Sequence, residues 1–256
     1  MLVIGVTFDG STAASTGLLA SDGAVRYLCY QKLDANGRLS VRRIALIHAT
    51  PVAIEPITEA FKRDWPDCAT VNLLDDSLSQ DRARTADLTA DMSRRILALG
   101  EYVHRAGADA ILYTCSAFGP AIENAARKLP IPVLKPNEAM FDQALEKGKR
   151  IGMIATFRAS VASMEAEFAE EAGRRNPKAT IRTVLVEEAM THLRAGDAEH
   201  HNRLVAEAAV QLSDCDALVL AQFSTSRAAP AVRTITSQPV LTSPDAAIAK
   251  LKRLMQ

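Results

Sequence analysis

An internal periodicity constrains this chain before any single residue does. Arg43-Ile44-Ala45-Leu46-Ile47 is echoed by Arg150-Ile151-Gly152-Met153-Ile154, Asp109-Ala110-Ile111-Leu112 by Asp216-Ala217-Leu218-Val219, and Pro132-Val133-Leu134 by Pro239-Val240-Leu241. Arg43 to Arg150, Asp109 to Asp216 and Pro132 to Pro239 are each a step of 107 positions. One shared step without a net gap points to two copies of a single unit, residues 43–149 and 150–256. Residues 1–42 have no counterpart and read as a peripheral or poorly ordered extension. Within it, Asn36-Gly37 between Tyr27–Leu33 and Leu39–Val41 is a hairpin signal.

Each unit alternates strand and helix. In the first, the apolar run Ile44–Ile47 ends at His48-Ala49-Thr50-Pro51, and a helix is predicted over Ile54–Trp65. Strand Thr70–Leu74 follows, and Leu88, Met92, Ile96, Leu99 and Val103 then recur at helical spacing up to Gly107. Ala110–Tyr113 is a continuous apolar run of the kind buried on both faces of a parallel sheet. A helix over Pro120–Lys128 and strand Val133-Leu134 complete the unit. The second unit repeats the plan, with strands Ile151–Ile154, Ile181–Val186, Ala217–Leu220 and Val240-Leu241. Its helices are predicted over Val161–Gly173, near His201–Leu212 and over Pro244–Leu254. This alternation means an α/β fold: two pseudo-symmetric, Rossmann-like or flavodoxin-like parallel-sheet domains, with a ligand crevice between them at the carboxyl ends of the strands.

Composition narrows the function classes. Thirty basic residues balance thirty acidic ones, which argues against a nucleic-acid or anionic-membrane partner. No apolar run is long enough for a membrane span, and MLVIGVTFDG lacks the positive start of a secretory signal. The four cysteines (Cys29, Cys68, Cys115 and Cys215) form no C-x-x-C pair, so a reducing, cytoplasmic setting is expected. No G-x-G-x-x-G or phosphate loop is present, so no nucleotide cofactor is expected. His200-His201 lies at a helix start without a third ligand at metal spacing, so no metal site is expected either.

Cys115 is the sharpest chemical candidate. In Tyr113-Thr114-Cys115-Ser116-Ala117-Phe118-Gly119 it follows a buried strand and precedes a helix start. Unpaired N–H groups and the helix dipole there should favour a thiolate and lower its pKa. Thr114, Ser116 and the local backbone could hold a carboxylate. Cys29, Cys68 and Cys215 lack this placement and read as structural. Asp75-Asp76 reads as a loop with helix-capping residues, and Arg94-Arg95 and Arg174-Arg175 as solvated helix faces.

Over residues 43–256 the chain resembles the aspartate/glutamate racemase superfamily, which includes hydantoin racemases, maleate isomerases and arylmalonate decarboxylases. Asp109–Ser116, Ile151-Gly152-Met153-Ile154-Ala155-Thr156 with Ser160, and Pro132-Val133-Leu134 carry the resemblance. It implies a cofactor-independent enzyme acting on a small carboxylate, and assembly into dimers or larger oligomers. Thr50, Thr156 and Ser160, after the first strand of each unit, are then expected among the carboxylate-binding hydroxyls. In two-cysteine members, thiols on opposite sides of the α-carbon remove and return a proton.

Here the position 107 residues beyond Cys115 is Gln222, in Leu220-Ala221-Gln222-Phe223-Ser224-Thr225. An amide moves no proton near neutrality. Three readings follow: Cys115 works with another group, His48 being the best placed; Cys115 acts alone, as in a decarboxylase or cis–trans isomerase; or the chain binds a carboxylate without turning it over. In all three, Gln222, Ser224 and Thr225 are expected to contact the ligand.

Overall fold

The computed structural model of the chain describes residues 32–33, 39–85 and 87–255. Strands β1 (Lys32–Leu33) and β2 (Leu39–Ser40) pair antiparallel, as expected of the hairpin; its start at Tyr27 lies outside the described residues. Two four-stranded parallel sheets follow. The first contains β3 (Arg43–His48), β4 (Ala69–Leu74), β5 (Ala110–Tyr113) and β6 (Val133–Leu134), in the order β4-β3-β5-β6. The second contains β7 (Arg150–Ala155), β8 (Thr180–Leu185), β9 (Ala217–Leu220) and β10 (Val240–Thr242), in the equivalent order β8-β7-β9-β10.

The two sheets share more than strand order. Ile44 pairs with Ala110 and Ile151 with Ala217; Ile111 pairs with Val133 and Leu218 with Val240. Adding the sequence step to the first sheet's partners reproduces the second's. The strand starts are clamped alike: Asp109 Oδ2 accepts the Arg43 N–H at 2.9 Å, and Asp216 Oδ2 accepts those of Arg150 at 2.9 Å and Lys149 at 2.8 Å. All of β5 and β9 is buried, which is why both read as unbroken apolar runs.

The helices are α1 (Ile54–Asp64), α2 (Ser77–Arg84), α3 (Ala90–Arg105), α4 (Gly119–Lys128), α5 (Glu138–Lys147), α6 (Arg158–Arg175), α7 (Glu187–Arg194), α8 (Ala198–Ala209), α9 (Ala229–Ile235) and α10 (Ser243–Leu254). Four of them, α2, α5, α7 and α9, were not expected. Each has ten residues or fewer and is held by its buried face rather than by local propensity. None of the described helices is long and apolar enough to cross a membrane. Of the arginine pairs, Arg95 departs from a solvated face: it bonds Asp75 and Asp81 at 2.7 Å each with its side chain only 27% exposed.

The closing helix of each unit packs on the other unit's sheet. Met140, Phe141 and Ala144 of α5 sit with Ile151, Met153 and Phe168 of the second sheet and α6, and Phe141 meets Phe168 edge-on at 5.6 Å. Ala247, Ile248 and Leu251 of α10 sit with Ile44, Leu46 and Leu112 of the first sheet and with Ile57 and Phe61 of α1. Burying a leucine or isoleucine of this kind contributes roughly 1.5–3 kcal/mol, so the exchange is a substantial bond between the halves. The units of the sequence are therefore interlocked in space.

One glycine prepares the strand that leads to Cys115. A Cβ on Gly100 in α3 would lie 2.7 Å from Tyr113 Oη, which instead donates to the Ile96 carbonyl at 2.7 Å. The absent side chain lets the buried phenol at the end of β5 anchor under α3.

Candidate active site

The carboxyl ends of β3, β5, β7 and β9 converge on one small cavity of about 30 Å³. Thr50, Thr114, Cys115 and Ser116 line it from the first half of the chain; Ser160, Gln222 and Ser224 line it from the second. Seven expected residues thus meet there. His48, Thr156 and Thr225 stand behind the wall. A roomier groove of about 290 Å³, with Arg63, Arg227 and Asp245 along it, contains no thiol and no histidine.

Cys115 follows β5 and precedes a 3-10 turn, Ser116–Phe118, that leads into α4. The expected lowering of its pKa is not found: burial pushes the thiol up to about 11. The Ala117 N–H and the positive charge of Arg82 act the other way without reversing this. The local helix start is a single 3-10 turn continuing into α4, and its favourable field is outweighed by loss of water around the sulfur. Cys115 is therefore a neutral thiol at pH 7, with groups in place to stabilise a thiolate formed transiently. Arg82, a buried side chain of α2 that the sequence did not single out, also donates from Nε to the Ala117 carbonyl at 3.2 Å and from Nη1 to that of Thr85 at 2.8 Å. It therefore fixes the turn after the thiol.

The hydroxyls beside Cys115 are committed inward. His48 is fully buried, with Nε2 2.9 Å from Asn72 Oδ1 and Nδ1 2.8 Å from Thr114 Oγ1. Since the amide oxygen only accepts, Nε2 carries the proton and Nδ1 accepts from Thr114. Burial lowers the His48 pKa, so the ring is neutral and both nitrogens are occupied. Ser116 Oγ donates to Asn137 Oδ1 at 3.3 Å, and Asn137 Nδ2 donates to Glu167 Oε2 at 3.3 Å. Burial raises the Glu167 carboxyl to about 7, opposed by Lys135, whose Nζ lies 3.6 Å from Oε1.

The second-half wall is built around Gln222. Its backbone has φ 69°, the one positive value among described non-glycine residues, whereas Cys115 at the matching position is extended with φ −115°. Gln222 Oε1 accepts the Thr156 N–H at 3.0 Å and lies 3.2 Å from the hydroxyls of both Thr156 and Thr225; its Nε2 donates to Ser160 Oγ at 2.6 Å. Thr156 and Ser160, expected among the carboxylate-binding hydroxyls, here hydrogen-bond this amide. The cluster over-determines a left-handed backbone that costs roughly 1–2 kcal/mol for a residue with a Cβ.

Sequence reasoning also missed Ser79, Met190 and Arg194. Arg194, at the end of the unexpected α7, is the one charged side chain lining the cavity, and it has no acidic partner among the described residues. Only knowledge of where α7 lies could have brought it to the site.

No curated protein sequence matches the chain significantly. Solved structures do match in fold. A glutamate racemase from Bacillus anthracis superposes with a TM-score of 0.68 at 15% identity, covering 84% of this chain and 82% of that one. The aspartate racemase of Picrophilus torridus gives 0.64 at 17% identity, covering 84% and 94%. An allantoin racemase from Pseudomonas fluorescens gives 0.61 at 18% identity, covering 83% and 90%. The family model described as Asp/Glu/Hydantoin racemase matches residues 47–214, which run from the last residues of β3 past the end of α8 and include Cys115. With more than half of the chain matched and the two-sheet architecture shared, the chain belongs to the Asp/Glu/Hydantoin racemase family.

Proposed function

We propose that the chain is a cofactor-independent enzyme of the isomerase type, acting on a small carboxylate such as an amino acid or related acid by proton transfer at Cys115. One observation carries the reading: a single thiol, backed by an N–H and a buried arginine, lines a cavity whose only charged wall residue is Arg194. Arg194 would attract and orient the carboxylate. As the Cys115 S–H bond breaks and a C–H bond forms at the substrate carbanion, the Ala117 N–H and Arg82 would stabilise the thiolate left behind. With an intact α-C–H bond the order is reversed: the thiol first passes its proton to solvent, the thiolate takes the α-proton as the C–H bond breaks and the S–H bond forms, and the re-formed thiol returns a proton to the carbanion. The close relation of the two halves, down to strand register, also supports descent from a duplicated unit, with residues 43–149 and 150–256 as its copies.

The neutral thiol and the amide at position 222 favour a second reading, a one-thiol decarboxylase. There the carbanion left by carbon dioxide needs a single proton donor and no base on the opposite face.

Incubation with amino acids and with substituted malonates in deuterium oxide, followed by NMR, tests both readings. Deuterium should enter at the α-carbon, and Cys115→Ala should slow its entry by about 10³-fold. Exchange from amino acids supports the first reading, and label entering only as malonates lose carbon dioxide supports the second. Undiminished exchange in Cys115→Ala, or none with a ligand that demonstrably binds, overturns both. Arg194→Gln should raise KM about tenfold with kcat held, since a charge that only anchors substrate contributes equally in ground and transition states.

A further inference from the structure

The turn between α7 and α8 gathers a cluster that the proposed reaction does not use. Glu188 and His192 lie one helical turn apart on α7, with Glu188 Oε1 3.7 Å from His192 Nε2. The chain then reverses through Ala195-Gly196-Asp197, where Gly196 takes φ +87°, and α8 brings His200 back against His192. The two imidazoles stack 3.8 Å apart and within 5° of parallel. One donor atom each from Glu188, His192 and His200 falls within 4.8 Å of the others.

From this convergence we propose that Glu188, His192 and His200 form a binding site for a divalent transition-metal ion of the zinc class. Ligand type fits: two imidazoles and a carboxylate are a borderline-soft set suited to zinc and unsuited to magnesium or calcium. Spacing fits as well, because tetrahedral bonds of about 2.0–2.1 Å place donor atoms some 3.4 Å apart, a short side-chain rotation from the observed arrangement. Asp197 supplies the outer layer such sites require. Its Oδ2 lies 3.6 Å from His192 Nδ1 and 3.8 Å from His200 Nδ1, and favours the proton of each ring on that near nitrogen, leaving Nε2 with its lone pair for the ion. Its Oδ1 meanwhile caps α8 by accepting the His200 N–H at 3.0 Å. Arg203 confirms the tautomer at one ring: its Nη2 lies 2.8 Å from His200 Nε2, a nitrogen that must therefore present a lone pair. The guanidinium holds the place of a cation and would swing toward Glu207, which its Nη1 already contacts at 2.8 Å.

The site would tie α7 to α8. Because Met190 and Arg194 of α7 line the Cys115 cavity, a bound ion would fix that wall from outside without entering the chemistry.

Titration of the full, tag-free chain with zinc chloride against a chromophoric chelator tests the proposal. One ion per chain should bind with micromolar affinity, raising Tm. His192→Ala and His200→Ala should each weaken binding by at least about 100-fold, and Asp197→Asn by about 10-fold. Arg203→Ala should strengthen it, an effect that thiol sites elsewhere would not show. Circular dichroism of each variant confirms the fold. Absence of one-to-one binding, or binding undiminished in the His192→Ala/His200→Ala double variant, overturns the site.

Discussion

Cys115 and Gln222 occupy the same step after the equivalent strand of two sheets that share strand order and register, yet the two junctions are built on opposite principles. At the first, Thr114 and Ser116 turn inward to His48 and Asn137, leaving a thiol as the one proton-moving group of that wall. At the second, Thr156, Ser160 and Thr225 turn onto Gln222 and close a network with no proton to give near neutrality. The backbone diverges with the chemistry, extended at one position and left-handed at the other. Two sheets can thus keep equivalent strand registers while one junction presents a thiol to the cavity and the other becomes a rigid amide network.

The comparison breaks first at Gln222. Gln222→Ala should cost about 3–4 kcal/mol in chemical denaturation, since the Thr156 N–H and three hydroxyls lose a shared partner. Gln222→Gly should be milder by about 1 kcal/mol, because glycine accepts φ 69° without strain. Equal stability of Gln222→Ala and the parent would mean that the amide network supports nothing. Gln222→Cys should likewise be destabilised and should not gain inversion of substrate, since the strained backbone and orphaned hydroxyls remain.

Glu167, behind Ser116, sharpens the other side. Its carboxyl is raised from 4.5 to about 7 by burial, so the folded state binds the proton more tightly than the unfolded chain. Its contribution is therefore fully present below about pH 4.5 and lost as pH rises through 7, amounting to at most about 3 kcal/mol. Glu167→Gln should flatten that part of the stability profile. An unchanged slope would remove Glu167 as its source. The smallest effect concerns Cys115 itself: with its pKa near 11 in place of 9.0, iodoacetamide at pH 7 should alkylate it about 100-fold more slowly than a model thiol. A rate at or above the model thiol's would restore the activated thiolate expected from the sequence.

Sheets and cavity were legible for physical reasons. Strands buried on both faces, such as Ala110–Tyr113 and Ala217–Leu220, leave unbroken apolar runs, and the repeat step placed Gln222 opposite Cys115 before any coordinate was known. Helices α5 and α7 were not legible as elements. Glu187–Arg194 holds only eight residues with Ala189, Met190 and Leu193 as its buried face, a pattern too short to separate from a loop. What each hydroxyl bonds is set by tertiary neighbours, so Thr114, Thr156 and Ser160 could be placed near the site but not assigned partners. The pKa of Cys115 failed for a related reason: the helix start is local, whereas the burial that outweighs it comes from distant chain.

The exchange of α5 and α10 bears on how the chain matures during synthesis. The first sheet has its strands as soon as β6 leaves the ribosome, but α10, which packs on Ile44, Leu46 and Leu112, emerges only after every strand of the second sheet. Until then that apolar sheet face is covered only in part, by α1, while the second sheet forms and takes α5. Folding is thereby governed by contacts between distant parts of the chain, which close slowly and leave that face exposed to association with other nascent chains. Shortening the chain at its C-terminal helix should therefore harm the N-terminal sheet first.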